Sequence, residues 1–340
     1  MDHEPPAKLA DRLGRPLTDL RVSVTDRCNF RCRYCMPREH FEHGHRYLPR
    51  AEILSFEEIV RVVGALVPLG LRKVRLTGGE PLLRQDLAEL VAMLARLPGL
   101  DVALTTNGSL LKKHARALRE AGLGRLTVSL DSVSPEVFAR MTDSEVPVAD
   151  VLSGIAAARE AGFGPLKINA VVRRGVNDHT LVELARHFKG TGDIVRFIEF
   201  MDVGLTNGWR LDHVVSGREI VARIAAELPL EPASSNYRGE VAKRYRYLDG
   251  SGEIGVITSV TQPFCGDCTR LRLSADGQLY GCLFARVGHD LRPALRTSED
   301  DSALCQQVND FWQARADRYS ELRSEGTRSL PRLEMSYLGG

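Results

Sequence analysis

The feature that most constrains this 340-residue chain is a run of three cysteines, Cys28, Cys32 and Cys35, spaced C-x3-C-x2-C directly after a short apolar strand at 21–24. A loop this compact turns all three sulfurs to one side, where they can hold a metal. Three is the informative count. A closed structural zinc site wants four ligands, whereas an iron–sulfur cluster held by three thiolates leaves one iron free for a ligand that reacts. The spacing leaves two readings open: a cubane with an open corner, or a zinc site completed by a distant His or Cys.

Cys265, Cys268 and Cys282 form a second triplet, and Cys305 is left over from the seven cysteines. An odd number grouped this way is a poor disulfide framework and a good metal-site pattern, and it predicts a reducing, cytoplasmic setting. Alone, the second triplet reads as a zinc ribbon short of one ligand, with His289 or Cys305 to complete it. The competing reading is a second cluster whose open iron binds a substrate atom. Two three-thiol sites in one chain suggest that both open positions are used. Cys305 reads as an inert helix residue.

Strands and helices alternate over the first two thirds of the chain. Ser55 caps an amphipathic helix at 56–66, and strand 73–77 follows. Helix 86–97 leads to strand 102–105, helix 112–121 to strand 126–130, helix 148–161 to strand 166–172, and helix 179–188 to strand 194–200. With the first strand this makes six strand–helix units, the pattern of a parallel sheet with helical crossovers curled towards a barrel. Six units fall short of the eight of a closed barrel, so the expected fold is α/β, an incomplete (β/α)6 barrel of the TIM type. A soft boundary falls near residue 217. Residues 1–216 form the barrel, and residues 217–340 an α+β extension with a helix at 218–228, β-like segments at 241–248, 253–260, 270–273 and 278–283, and a late helix at 300–317.

The polar residues gather where strands end: the first cysteine loop, Gly78 to Pro81, Thr106 to Gly108, Asp131, and Met201 with Asp202. Gly78 and Gly79 allow close backbone approach to a ligand, although a tight strand-to-helix turn opened by Pro81 explains them equally well. Arg270 and Arg272 lie two apart on a strand and so share a face beside the second triplet. Arg21, Lys73, Arg75, Lys167 and Arg196 stand at the ends or in the middle of apolar strands. Any one of these is read most simply as a solvated edge charge. Seven together suggest a polyanionic substrate such as a nucleoside triphosphate, because paired guanidiniums bind phosphate bidentately. The terminal Gly339 and Gly340 are either a frayed end or a strand thin enough to thread into a crowded site.

The first cysteine loop, with Tyr34 before its third cysteine, and the Gly78–Pro81 motif together resemble the radical S-adenosylmethionine (SAM) superfamily. The match narrows along nearly the whole chain: Arg21, Met36 and Pro37, the run from Arg75 to Pro81, Thr105 to Gly108, Ser129 to Asp131, Lys167 to Asn169, Gly175 to Asp178, and Arg196 to Met201. With the segment from Pro263 through Arg272, the run Cys282 to Phe284 and the Gly-Gly end, it is similar to the GTP 3′,8-cyclase family of molybdenum cofactor biosynthesis. The resemblance implies a radical SAM barrel and two [4Fe–4S] clusters, one on Cys28, Cys32 and Cys35 that binds SAM, the other on Cys265, Cys268 and Cys282 that binds the guanine of GTP. By the same resemblance Tyr34, Gly79, Ser129 and Met201 contact SAM. Arg21, Arg75, Thr106, Lys167, Arg270, Leu271 and Arg272 contact GTP, with Lys73 and Arg196 as supporting cations. Arg21, Gly339 and Gly340 stand at the reacting centre. The implied reaction takes hydrogen from C3′ of GTP with a 5′-deoxyadenosyl radical and joins C3′ to C8 of the guanine, giving (8S)-3′,8-cyclo-7,8-dihydroguanosine 5′-triphosphate. Two positions depart from the pattern: Thr269 stands where Asn is expected, and segment 40–46 is a longer, His-containing insertion.

Rival readings are a radical SAM enzyme acting on a peptide, which has little use for Arg270 and Arg272, and a zinc adaptor with two cysteine modules. The partners expected are GTP, an external electron donor of flavodoxin or ferredoxin type, and a downstream cyclic pyranopterin monophosphate synthase by hand-off. A homodimer is compatible with the sequence. Net charge of +2 gives no argument for nucleic acid or an anionic membrane as partner, and the hydrophobic content of 43% and charged content of 26% are those of a soluble globular protein.

Overall fold

The computed structural model describes residues 9–42, 44–237, 239–297, 300–324 and 332–339. Six strands, β1 (Asp19–Ser23), β2 (Lys73–Thr77), β3 (Asp101–Thr106), β4 (Arg125–Ser129), β5 (Lys167–Val172) and β6 (Ile194–Glu199), pair in sequence order and all in parallel. Helices Phe56–Leu66, Leu87–Ala95, Leu111–Glu120, Val148–Glu160 and Leu181–Phe188 make the crossovers, as the alternation predicts. Ser55 and Glu58 form a reciprocal capping box at the start of the first of these, which buries Ile59, Val62, Val63 and Leu66 against the sheet side of the layer. One helix, Pro135–Thr142, lies outside the expected pattern, although Ser134 and Pro135 are an ordinary helix start and Val137, Phe138 and Met141 form its buried stripe.

The later strands do not form a sheet of their own. They extend the barrel sheet at both edges. β9 (Glu253–Ile257) adds in parallel to β6, and β10 (Arg270–Leu273) adds in parallel to β1. Antiparallel strands β8 (Lys243–Tyr247) and β7 (Leu230–Ala233) continue one side, β11 (Gln278–Tyr280) and β12 (His289–Asp290) the other, giving twelve strands in the order β12-β11-β10-β1-β2-β3-β4-β5-β6-β9-β8-β7. The curled sheet stays open, with β12 and β7 at its edges. A short helix, Arg292–Thr297, precedes the expected late helix, which is present as Ser302–Ala314. Cys305 sits on the latter, its thiol donating to the Ala65 carbonyl at 3.4 Å.

Glu199, at the end of β6, ties the two parts together. Its fully buried carboxylate accepts from the backbone N–H of Gly217 at 2.7 Å and of Val260 and Thr261 at 2.8 Å each. A buried acceptor that satisfies three N–H groups cannot be removed without leaving donors unpaired. Glu199→Ala is therefore expected to cost roughly 3 kcal/mol, read as a fall in thermal midpoint. An unchanged midpoint would show that water takes over these bonds.

Candidate active site

A cavity of about 330 Å3 is lined by residues from the amino ends of the parallel strands (Asp19, Lys73, Lys167) to their carboxyl ends (Thr77, Thr106, Ser129), and by all six triplet cysteines. Cys28, Cys32 and Cys35 stand at one side with Tyr34, Gly79, Ser129 and Met201; Cys265, Cys268 and Cys282 stand at the other. All seven cysteines are free thiols. His289, which faces Gln307 at 3.3 Å, and Cys305 are engaged elsewhere and line no part of this cavity, so neither is the fourth ligand that a zinc ribbon requires.

The first loop is fixed by close backbone packing. Gly79 N donates to the Thr25 carbonyl at 2.8 Å and Glu80 N to the Arg27 carbonyl at 2.8 Å. A Cβ on Gly79 would lie 2.2 Å from the Arg27 oxygen, and one on Gly78, where φ is +141°, 2.4 Å from that of Thr25. The two glycines thus hold the chain just ahead of Cys28 against β2. Glu80, fully buried and held up near 7 by that burial, accepts from Thr106 Oγ1 at 2.7 Å and Asn107 N at 2.7 Å. Tyr34 donates its hydroxyl to Asp131 at 3.0 Å, and burial likewise raises Asp131 to about 7. Neither carboxylate is singled out as a site residue by the sequence pattern; the signal available was its position at a strand end.

The donor chemistry suits clusters. Burial, with the Glu80 carboxylate adding to it, pushes Cys28 up to about 11, and burial raises Cys32 and Cys35 further, these two also opposed by neighbouring thiols. Three thiols so placed become thiolates together only around shared positive charge, which iron supplies. N–H groups already point at the sulfurs: Phe30 N at 3.4 Å from Cys28 Sγ and Phe284 N at 3.5 Å from Cys282 Sγ. At Cys268, burial opposes the thiolate, but the guanidiniums of Arg270 and Arg315 outweigh it and bring the thiol down to about 6.

The cations lie in rungs across neighbouring strands. Arg272, Arg21 and Arg75 face one another through the β10–β1–β2 register, and Arg270, Asp19 and Lys73 form the rung below. Lys167 and Arg196 continue the wall on β5 and β6. Asp19 pairs with Lys73 at 3.0 Å and accepts from Thr269 Oγ1 at 2.9 Å, which gives the departing Thr269 a structural partner. Arg75 is held by the hydroxyls of Thr105 at 3.0 Å and Thr127 at 3.1 Å, and Arg196 by Asn169 at 2.9 Å, all neutral partners. Burial and then mutual repulsion depress these groups: Arg21 well below the usual range, Arg272 to about 10, Arg196 to about 9 and Lys167 to about 8. The cavity is a concentrated positive field awaiting an anion.

Leu271 is the exception among the expected substrate contacts. As the odd member of an alternating strand it is fully buried in the hydrophobic core and does not line the cavity. The carbonyl of Gly339 accepts from Arg272, so the chain end does reach the cationic wall, while Gly340 lies outside the described residues. In segment 40–46 the rings of Phe41 and His45 lie tilted against each other with centroids 4.6 Å apart, and Tyr47 meets His45 edge-on; residue 43 lies outside the described residues.

Residues 22–188 match the radical SAM superfamily and residues 193–321 match the Molybdenum Cofactor Synthesis C family, so fold and site define a radical SAM enzyme, a class that uses a [4Fe–4S] cluster and SAM. The GTP 3′,8-cyclase of Acidothermus cellulolyticus is 55% identical, covering 98% of this chain and 99% of its own length; that of Xanthomonas axonopodis pv. citri is 52% identical over the same shares. The GTP 3′,8-cyclase of Staphylococcus saprophyticus is 46% identical, again over 98% of this chain and 99% of its own. The chain belongs to the GTP 3′,8-cyclase family. Its fold is also that of Streptococcus suis SuiB bound to S-adenosylmethionine, with a TM-score of 0.62 at 14% identity, covering 92% of this chain and 72% of that one.

Gly79→Ala tests the first loop. The added methyl must displace the Arg27 carbonyl and with it Cys28, so iron uptake at the first triplet or SAM affinity is expected to fall about tenfold or more. Wild-type iron content together with wild-type SAM affinity would show that the loop yields freely.

Proposed function

We propose that this chain converts GTP to (8S)-3′,8-cyclo-7,8-dihydroguanosine 5′-triphosphate, the first step of molybdenum cofactor biosynthesis. The observation that carries the reading is the convergence of both cysteine triplets and seven strand-borne cations on one cavity. A peptide substrate gives those cations no partner; a triphosphate does.

In this reading Cys28, Cys32 and Cys35 hold the first [4Fe–4S] cluster, with SAM against Tyr34, Gly79, Ser129 and Met201, and Cys265, Cys268 and Cys282 hold a second. Bound there, the first cluster and SAM supply a carbon radical that abstracts hydrogen. The residues of the chain do the rest by placement. Arg21, Arg75, Lys167, Arg270 and Arg272 neutralise the triphosphate, supported by Lys73 and Arg196. Thr106, fixed by Glu80, lies beside them. Anchoring the phosphates at one end and the guanine at the other holds C3′ and C8 of one nucleotide within bonding reach, which is where most of the rate comes from in such a site. Gly339, bonded to Arg272, brings the chain end against the cationic wall. Residues 1–216 thereby carry the cofactor and much of the phosphate site, and residues 217–340 carry the second cluster together with Arg270 and Arg272. The low-potential electron comes from a flavodoxin- or ferredoxin-type donor, the product passes to the pterin synthase, and the enzyme works in the reducing cytoplasm, as a monomer or homodimer.

Anaerobic turnover with GTP, SAM and a strong reductant, followed by mass analysis of the nucleotide, tests the activity. The reading expects the cyclised product and about eight irons per chain; a colourless, iron-free protein from anaerobic cells overturns it. Arg270→Ala and Arg272→Ala are each expected to weaken GTP binding about tenfold to a hundredfold, and unchanged affinity would argue for another substrate. Lys167 also gives the site a pH dependence. Its protonated form binds the triphosphate, and in the free site it loses its proton near pH 8. GTP affinity is therefore expected to be flat below about 8 and to fall above it, and Lys167→Met should abolish that slope.

A further inference from the structure

The second triplet is gripped from behind by three side chains outside the motifs quoted above: Asp11, Arg15 and Arg315. All three are buried, Arg15 completely. Asp11 accepts from Arg15 Nε at 2.6 Å and from Arg315 Nη1 at 2.9 Å, so one carboxylate joins two guanidiniums drawn from opposite ends of the chain. Each guanidinium then reaches the loops that carry the ligands. Arg15 Nη1 donates to the Cys265 carbonyl at 2.8 Å. Arg315 donates from Nη1 to the Cys268 carbonyl at 2.9 Å and from Nε to the Gly281 carbonyl, next to Cys282, at 2.8 Å. Every ligand of the triplet is thus held at its own carbonyl or its neighbour's.

Arg315 does more than hold backbone. Its Nη2 donates to the sulfur of Cys268 at 3.2 Å, matched by Arg270 Nη2 at 3.2 Å. Arg15 lines the same cavity, and its buried Nη2 has no hydrogen-bond partner among the described residues. A buried donor of this kind is costly unless something accepts from it, and the sulfide of a cluster is such an acceptor. Trp312 fixes the assembly from below, its Nε1 donating to the Arg15 carbonyl at 3.1 Å while Arg315 lies over its ring at 4.5 Å. Asp317 stands 3.7 Å from Arg315 Nε and also faces Cys282, so the assembly acts on the three sulfurs through its hydrogen-bond donors rather than through net charge.

Resting on the two-cluster reading, we propose that Arg15 and Arg315, joined by Asp11, are positioning residues that hold the second cluster's cysteines in place and raise its reduction potential. Hydrogen bonds from cations to ligating sulfur stabilise the more negative, reduced cluster. Arg270 makes the same bond but also faces the substrate, whereas Arg315 is committed to the protein. Arg315 therefore sets the potential whether or not GTP is bound.

The test is an anaerobic redox titration of the full-length holoenzyme followed by electron paramagnetic resonance, with iron content measured alongside. The signal that changes on adding GTP belongs to the second cluster. Arg315→Gln and Arg15→Gln are expected to lower its midpoint potential and leave that of the other cluster unchanged, with Arg315→Lys between wild type and Arg315→Gln. Where a glutamine variant takes up no second cluster, Arg315→Lys carries the measurement, and a potential equal to wild type overturns the proposal. Selective loss of about half the iron in all three variants, with the first cluster's signal intact, supports the holding role. Unchanged potentials at full iron content, or loss of both clusters together, overturn it. A wild-type enzyme that shows no GTP-responsive cluster removes the two-cluster reading itself, and the proposal falls with it.

Discussion

The pairing of β10 with β1 is the contact on which the rest of this molecule depends. It sets Arg272 beside Arg21 and Arg270 beside Asp19, and it carries Cys265 and Cys268 to the rim of a barrel whose other side holds the first cysteine loop. Without that ladder there are two separate cysteine-rich segments. With it there is one cavity, lined by seven strand-borne cations and all six triplet thiols. β9 does the corresponding work on the far side by pairing with β6 and covering Arg196.

Placing so many cations on adjacent strands is unfavourable for the protein alone. The depressed values of Arg21, Arg196, Arg272 and Lys167 express that cost, since each group resists carrying its charge near the others. Asp19 relieves Lys73, and hydroxyls and an amide steady the guanidiniums, but the balance stays positive. The core below absorbs the strain: Leu20, Val22, Val74, Leu76, Leu271 and Leu273 are all fully buried on the opposite faces of the same strands. Folding energy from the apolar face is in this way converted into a preorganised site on the polar one.

Much of this was legible in the sequence, for identifiable reasons. The six parallel strands and their five helical crossovers follow from alternating periodicities, the two triplets from spacing, and the cationic wall from charges where an apolar strand has no use for them. Leu271 differs from Arg270 and Arg272 in facing the core, because neighbours on a strand face opposite ways, which a motif read as a string does not show. The addition of β9 and β10 to the parallel sheet was not legible, because short strands in a mixed region carry no sign of which edge they join. Asp11 and Arg15 gave no signal either: an acid and a base four apart near the start of a chain look like any solvated pair until the partner 300 residues away is in place. The helix Pro135–Thr142, in contrast, had its start written in Ser134 and Pro135.

The span of the β1–β10 ladder also orders events in time. Chains fold as they emerge, early segments first, and β1 to β6 with the first cysteine loop complete a layered body long before residue 270 exists. Until then the edge of β1 lies bare and its arginine has no opposite number. The thiols of the first loop are accordingly in position before those of the second triplet have been made, and the cavity that both line is completed last.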